Sequence, residues 1–266
     1  MKNKVVIITG ASSGIGKSLA VVFAKAGANV VVAARNMEKL NQLKEELKDF
    51  NVLPIQTDVS KEADCKRLID EAIRHYGTID ILINNAGISM RAIFEEVDLN
   101  VIRQLMDINF WGTVYCTKFA FPYILKNKGS VVGVSSIAGY KGLPARTGYS
   151  ASKFAMQGFL ETLRIENLKK GLHVLIACPG FTASNIRNTA LSKNGTMQGE
   201  SPLNEDKLMT SEEVAEQILK AIIKRKDRIV MTTQGKLVVL LNKFFPKLID
   251  KMVYNHMAKE PNTPLK

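Results

Sequence analysis

Tyr149, Lys153 and Ser136 are the side chains whose types and spacing suit proton transfer. A helix is expected from Tyr149 into Lys169, which sets Lys153 one turn beyond Tyr149 on the same face. A phenol ordinarily titrates near ~10 and needs a fixed cation beside it to work near neutrality. Lys153 is placed to supply that charge. Ser136 stands at the end of an apolar strand, from where its hydroxyl can donate a hydrogen bond to the same reacting oxygen. Taken alone, a Tyr and a Lys four residues apart also describe a solvated helix face, so the surrounding elements must decide.

The first of those elements is Val5 to Ile8, an apolar β-branched run followed directly by Thr9-Gly10-Ala11-Ser12-Ser13-Gly14-Ile15-Gly16. A helical pattern then opens at Gly14, with Ile15, Leu19, Val22, Phe23 and Ala26 on one face. In a strand, turn and helix of this kind, glycines permit a tight turn and let the backbone approach a pyrophosphate. They also let the helix pack closely and aim its N-terminal amides at the anion. The spacing here is GxxxGxG, and a second apolar strand, Asn29 to Ala34, completes the βαβ unit.

Thr9 to Gly16, Asn84-Asn85-Ala86-Gly87, Asn109, Ser136, Tyr149 and Lys153 together resemble the signature of the classical short-chain dehydrogenase/reductase family, over roughly residues 4 to 232. Tyr149-Ser-Ala-Ser-Lys153, Ala33-Ala34-Arg35-Asn36 and the long apolar C-terminal extension further resemble the branch containing the 11β-hydroxysteroid dehydrogenases. The resemblance implies hydride transfer between a nicotinamide cofactor and a carbonyl/alcohol pair. In it Tyr149 is the proton donor, Lys153 the cation that lowers the phenol, Ser136 the carbonyl polariser and Asn109 the anchor of a proton-relaying water. The cofactor is expected along Gly10, Ser12, Ser13, Gly14, Ile15 and Gly16, at Arg35, Asp58 and Val59, at Asn85, Ala86 and Gly87, and at Tyr149 and Lys153. Pro179, Gly180, Thr182 and Ser184 extend the contact, although the family usually has Val in place of Thr182 and Thr in place of Ser184. Asp58 can accept from the adenine amino group or cap the helix that follows it.

NADP(H) is the expected cofactor. Strand two ends at Ala34 without the acid that would hold a free ribose 2′-hydroxyl, and Arg35 follows, whose planar fork suits a 2′-phosphate. Ser12 can add a hydroxyl donor and Lys17 a diffuse positive field. Arg35 also reads as an exposed residue at a helix start.

The chain has 266 residues, 46% of them hydrophobic, enough for one substantial core. Strands expected at Lys4–Thr9, Asn29–Ala34, Val52–Thr57, Ile79–Asn84, Ser130–Val134, His173–Cys178 and Arg228–Met231 alternate with helices, including a single long one from Leu99 to Leu125. That alternation argues for an α/β fold: one doubly wound Rossmann-fold domain with a seven-stranded parallel sheet and an amphipathic C-terminal helical extension. By the resemblance the strand order is 3-2-1-4-5-6-7. The catalytic domain is expected over 1–235, with a substrate lid around 184–210, and the extension over 236–266.

The net charge is +12, but residues 220–266 hold eleven Lys or Arg against three acids, so the body is only mildly basic and nucleic acid is not an expected partner. Cys65, Cys116 and Cys178 read as buried thiols of a reducing compartment, and His75, His173 and His256 share no metal-ligand spacing, so no catalytic metal is expected. No signal peptide and no run of eighteen uncharged apolar residues is visible, and the expected location is cytoplasmic.

Met90, Tyr140, Leu143 and Phe181 are candidates to line an apolar pocket. In the extension, apolar residues from Leu237 to Val253 recur at helical spacing, Lys243, Lys247 and Lys251 repeat every four residues, and Pro246 kinks the helix or starts a second one. Such a helix can lie on an anionic membrane, pack on a neighbouring subunit or roof the pocket. Each reading fits a hydrophobic substrate, lipid-like or steroid-like. The resemblance implies a homodimer or homotetramer joined through the helix from Leu99 to Leu125. A net reductase is expected, and the alternative is an NADPH-binding sensor or scaffold with little turnover.

Overall fold

The structure is a computed structural model that describes residues 1–199, 201 and 208–265. Its strands are β1 (Val5–Thr9), β2 (Asn29–Ala34), β3 (Val52–Gln56), β4 (Ile81–Asn84), β5 (Ser130–Val134), β6 (His173–Cys178) and β7 (Arg228–Val230). They pair in parallel in the order β3-β2-β1-β4-β5-β6-β7. The order reverses beside β1, and in such sheets the crevice beyond the carboxyl ends of the strands at that point receives ligands.

The helices are α1 (Gly14–Lys25), α2 (Met37–Glu46), α3 (Glu62–Tyr76), α4 (Leu99–Leu105), α5 (Gly112–Lys126), α6 (Thr147–Glu166), α7 (Ser211–Ile223), α8 (Thr233–Phe244) and α9 (Pro246–Met257). Successive side chains of a strand point to opposite faces, and both faces of this sheet are covered. Val6 and Ile8 therefore pack with Leu19 and Phe23 of α1, Leu40 of α2 and Ile218 of α7. Val5 and Ile7 meet Leu68 of α3, Ala120 of α5 and Leu160 of α6 on the other side. A smaller cluster of Met90, Val97, Val101, Leu105 and Leu191 supports the rim of the crevice.

One expectation is corrected, and one left open is decided. The single helix from Leu99 to Leu125 is instead α4 and α5 joined by a π-helical turn, Met106–Trp111. Asn109 sits in that turn, where the hydroxyl of Thr113 donates to its carbonyl at 2.9 Å. The extra residue in the turn lets the buried Asn109 side chain face the end of β4. In the extension Pro246 starts a second helix. Phe245, at φ −130° and ψ 57°, breaks α8, and the missing N–H of Pro246 falls where a first helical turn needs none. Because α8 begins at Thr233, it crosses the boundary expected at residue 235.

All three cysteines are free and buried, and Cys65 of α3 meets Cys116 of α5 despite their distance in sequence. No helix among the described residues is long and apolar enough to cross a membrane.

Candidate active site

The glycine loop is clamped where β1 meets β4. The Thr9 hydroxyl accepts from the backbone N–H groups of Asn85 and Ala86, both at 3.0 Å, while the Asn85 amide donates to the carbonyls of Thr9 (2.9 Å) and Gly10 (3.3 Å). Gly10 is left-handed, at φ +68°, and a β-carbon there would stand 2.8 Å from Ala86 Cα. No side chain fits between the two strand ends. Ser13 precedes α1 in extended backbone with no capping bond from its hydroxyl, and the first turn of α1 carries no acid. The helix N-terminus therefore presents open N–H donors and a positive dipole end.

These residues line one end of a cleft of about 860 Å³. Gly10, Ser12, Ser13, Gly14, Ile15 and Gly16 line it, together with Arg35, Asp58 and Val59, with Asn85, Ala86 and Gly87, and with Pro179, Gly180, Thr182 and Ser184. The cradle fits a dinucleotide: a backbone floor without side chains, amides for a pyrophosphate, and small residues beyond. Arg35 is exposed, pairs with no carboxylate among the described residues, and is joined at the cleft by Asn36 and Lys39. Lys17 pairs with Glu46 of α2 at 2.7 Å. Asp58 does not cap α3. Its carboxylate accepts from the N–H and hydroxyl of Ser60, at 3.1 and 2.7 Å, because α3 starts only at Glu62.

Tyr149 and Lys153 lie one turn apart on α6 and reach the other end of the same cleft, where Ser136 follows β5. Lys153 is only 3% exposed. Its ammonium donates to the Val134 carbonyl at 2.9 Å and lies 5.7 Å from the centroid of the Tyr149 ring. Burial brings its pKa down to about 8. Burial also raises the Tyr149 phenol above its ordinary value, while the Ser136 hydroxyl and Arg146 pull it back. The Lys153 ammonium thus stands beside the ring while bonded to the backbone of β5, and Ser136 and Arg146 offset part of the effect of burial.

Asn109 lies behind the cleft. Its carbonyl oxygen accepts from the N–H of Ile88 at 2.8 Å, and its amide donates to the Ile88 carbonyl (3.0 Å) and the Ser152 hydroxyl (2.9 Å). It ties the exit of β4 to α6. A β-carbon on Gly87 would stand 3.1 Å from Asn109 Oδ1 and 3.4 Å from Lys153 Nζ, so this glycine keeps the two groups adjacent.

Of the expected pocket residues, Leu143 and Phe181 line the cleft. Met90 is fully buried beneath its rim, and the ring of Tyr140 lies under Arg228 at 5.2 Å. The described part of the expected lid reaches the cleft through Ile186, Leu191 and Met197, whereas residues 200 and 202–207, Pro202 among them, lie outside the described residues. Beyond the sequence reading, Arg146, Arg187, Met257 and Glu260 also line the cleft. No local pattern marks them, because the fold brings them there from separate parts of the chain. The end of α9 closes over the site as His256 stacks on Phe181, with ring centroids 6.1 Å apart.

A family profile described as short chain dehydrogenase matches residues 4–195. An 11-beta-hydroxysteroid dehydrogenase of Pinus massoniana is 45% identical over 190 residues, 70% of this chain and 53% of the relative. An 11-beta-hydroxysteroid dehydrogenase A of Arachis hypogaea is 34% identical over 98% of this chain and 77% of the relative. The chain spans about half the length of the pine relative. Among solved structures, a short chain dehydrogenase/reductase from Burkholderia phymatum in complex with NAD superposes with a TM-score of 0.81 at 25% identity, over 93% of this chain and 95% of that one. An alcohol dehydrogenase from Thermococcus sibiricus complexed with 5-hydroxy-NADP has the same fold, with a TM-score of 0.73 at 22% identity, over 86% of this chain and 94% of that one.

Proposed function

The chain belongs to the short-chain dehydrogenase family, and on that basis we propose that it reduces the carbonyl of a substrate with a largely apolar body, using NADPH. The observation that carries this reading is the single cleft that holds the glycine loop at one end and Ser136, Tyr149 and Lys153 at the other. NADP(H) rather than NAD(H) is supported by the exposed Arg35 after Ala34, which pairs with no carboxylate among the described residues, with Lys39 and Ser12 on the same cleft. Reduction is supported by the raised Tyr149 phenol, which stays protonated at neutral pH and so holds the proton that a nascent alkoxide needs. An apolar body is supported by Leu143, Phe181, Leu191 and Met197 around the reacting end.

Bound along the cleft, the cofactor would supply the hydride, which no side chain here can provide. Tyr149 gives its proton to the carbonyl oxygen. Ser136 donates a hydrogen bond to that oxygen and stabilises the negative charge that develops on it. Lys153 offsets the phenolate left behind, its ammonium already held near the ring by Val134. Asn109 is a positioning residue that keeps β4 and α6 in register around Gly87.

The catalytic domain and the extension meet along α8, where Gly235 packs against Ile137. The outer face of α8 and α9 exposes Leu237, Leu240, Phe244, Phe245, Leu248 and Met252, interspersed with Lys236, Lys243, Lys247 and Lys251. An apolar ridge with such a basic fringe suits peripheral contact with an anionic membrane surface. Leu99, Trp111 and Phe154 are exposed around α4, α5 and α6, which supports a second copy docking there.

The test of the reaction is NADPH oxidation against a panel of apolar ketones and aldehydes, with NADH alongside. Tyr149→Phe is expected to lower turnover by roughly 10²–10⁴-fold. Tight NADPH binding without turnover of any carbonyl would refute the reductase reading.

A further inference from the structure

Arg91 follows β4, Arg146 precedes α6 and Glu260 follows α9, yet the three side chains meet beside the reacting end of the cleft. Glu260 Oε2 stands 3.4 Å from Arg91 Nη2 and 3.9 Å from Arg146 Nη2. Their side chains are only 5%, 4% and 11% exposed, respectively, so the cluster is desolvated. Among the described residues, one carboxylate thus answers two guanidinium groups. Among the described residues, the charged groups acting on Arg146 are Glu260, Arg91, Tyr149 and Arg187.

Glu260 satisfies this pair poorly. Its distance to Arg146 is too long for a hydrogen bond, and Arg91, whose Nη2 donates to the Pro261 carbonyl at 2.5 Å, keeps a buried Nε without a partner among the described residues. Buried donors in this state call for an explanation. Arg146 is also held deliberately in place: Ala145 just before it is left-handed at φ +57°, and its carbonyl accepts from both Ala92 N–H (3.1 Å) and Arg146 Nη1 (3.2 Å). A non-glycine residue keeps such a conformation only where its surroundings dictate it, commonly at binding sites. Arg146, Glu260 and Tyr149 all line the cleft, and the apolar side chains of Leu143 and Met257 share its wall.

We propose that Arg146, with Arg91 behind it, binds a carboxylate carried by the substrate, and that Glu260 occupies this place until the substrate displaces it. The substrate class is then an oxo acid whose apolar segment separates the carbonyl at Tyr149 from the carboxylate at Arg146. This rests on the reductase reading above but deepens it: an apolar body with an anionic end replaces a wholly neutral substrate. Planar carboxylates suit arginine because they accept two parallel hydrogen bonds, which Glu260, tethered to the backbone beyond α9, does not achieve here.

The test is calorimetric titration of 7-oxooctanoate and its methyl ester into the full chain loaded with NADP⁺, which blocks reduction. The acid is expected to bind roughly 10–100-fold more tightly than the ester, the range for charge-assisted hydrogen bonds. Arg146→Gln should erase that preference. Glu260→Gln removes the competing carboxylate, and should tighten the acid several-fold while leaving the ester unchanged. Equal affinities in the wild type, including no binding of either compound, would overturn the proposal, as would a preference that survives Arg146→Gln. An unchanged acid affinity in Glu260→Gln would overturn the displacement. NADPH oxidation with the same two compounds tests the reaction separately: preferential binding of the acid with no turnover of either would sink the reductase reading and leave the carboxylate site standing.

Discussion

Lys153→Met should make the protein more stable and catalytically dead. The ammonium of Lys153 is 3% exposed and has one hydrogen-bond acceptor, the Val134 carbonyl. Burial lowers its pKa from the ordinary 10.5 to about 8, a difference that corresponds to roughly 3 kcal/mol of stability lost at neutral pH. Methionine has a similar unbranched length and needs no desolvation of charge, but it leaves the Val134 carbonyl without its donor, at about 1 kcal/mol. The net expectation is a gain of about 2 kcal/mol at pH 7, or a rise in Tm of roughly 4 °C for a domain of this size. The sign with pH follows from proton counting. Between about pH 8 and 10.5 the unfolded chain binds the lysine proton and the folded chain does not, so wild-type stability rises through that window. The substituted chain lacks this rise, so the gap should close near about pH 9.5 and reverse by about pH 10.5, where only the lost Val134 bond remains. Thermal melts at pH 7, 9 and 10, with NADPH oxidation in parallel, measure both halves. A variant that melts below wild type at pH 7, or a gap that does not change with pH, would refute the idea that a desolvated ammonium is retained for function at the expense of stability.

Arg35→Ala should raise the Kd for NADPH by roughly 10–100-fold and leave that for NADH unaltered, because the exposed guanidinium pairs with no carboxylate among the described residues; an equal effect on both cofactors would contradict its assignment to the 2′-phosphate. The full chain should float with vesicles containing phosphatidylserine at low salt and not with phosphatidylcholine alone, and Lys243→Glu with Lys247→Glu should release it, at about 1 kcal/mol per lysine. Flotation that ignores these substitutions, or is absent at low salt, would leave the ridge of α8 and α9 to a protein partner.

Much of this protein was legible in its sequence because its signals are local. The inner strands are buried on both faces, so they appear as continuous apolar runs, and β2, β5 and β6 fall on the expected residues. The glycine loop is legible because tight backbone approach excludes side chains at fixed intervals, and Tyr149 with Lys153 because one helical turn sets their spacing. The π-helical turn at Asn109 was not legible. One extra residue in a turn barely changes hydrophobic periodicity, and the insertion is decided by what the Asn109 side chain reaches across the fold.

The sequence by itself thus determined the family, the sheet and the residues at the two ends of the cleft, since each depends on contacts within one strand, turn or helix. Tertiary structure alone decided the electrostatics between those ends. That Lys153 answers Val134, that Ser136 and Arg146 moderate the Tyr149 phenol, and that Glu260 returns from beyond α9 to meet Arg91 and Arg146 are matters of distance and desolvation. Charge interactions depend on separation in space and on excluded water, and neither is written in the spacing of residues along a chain.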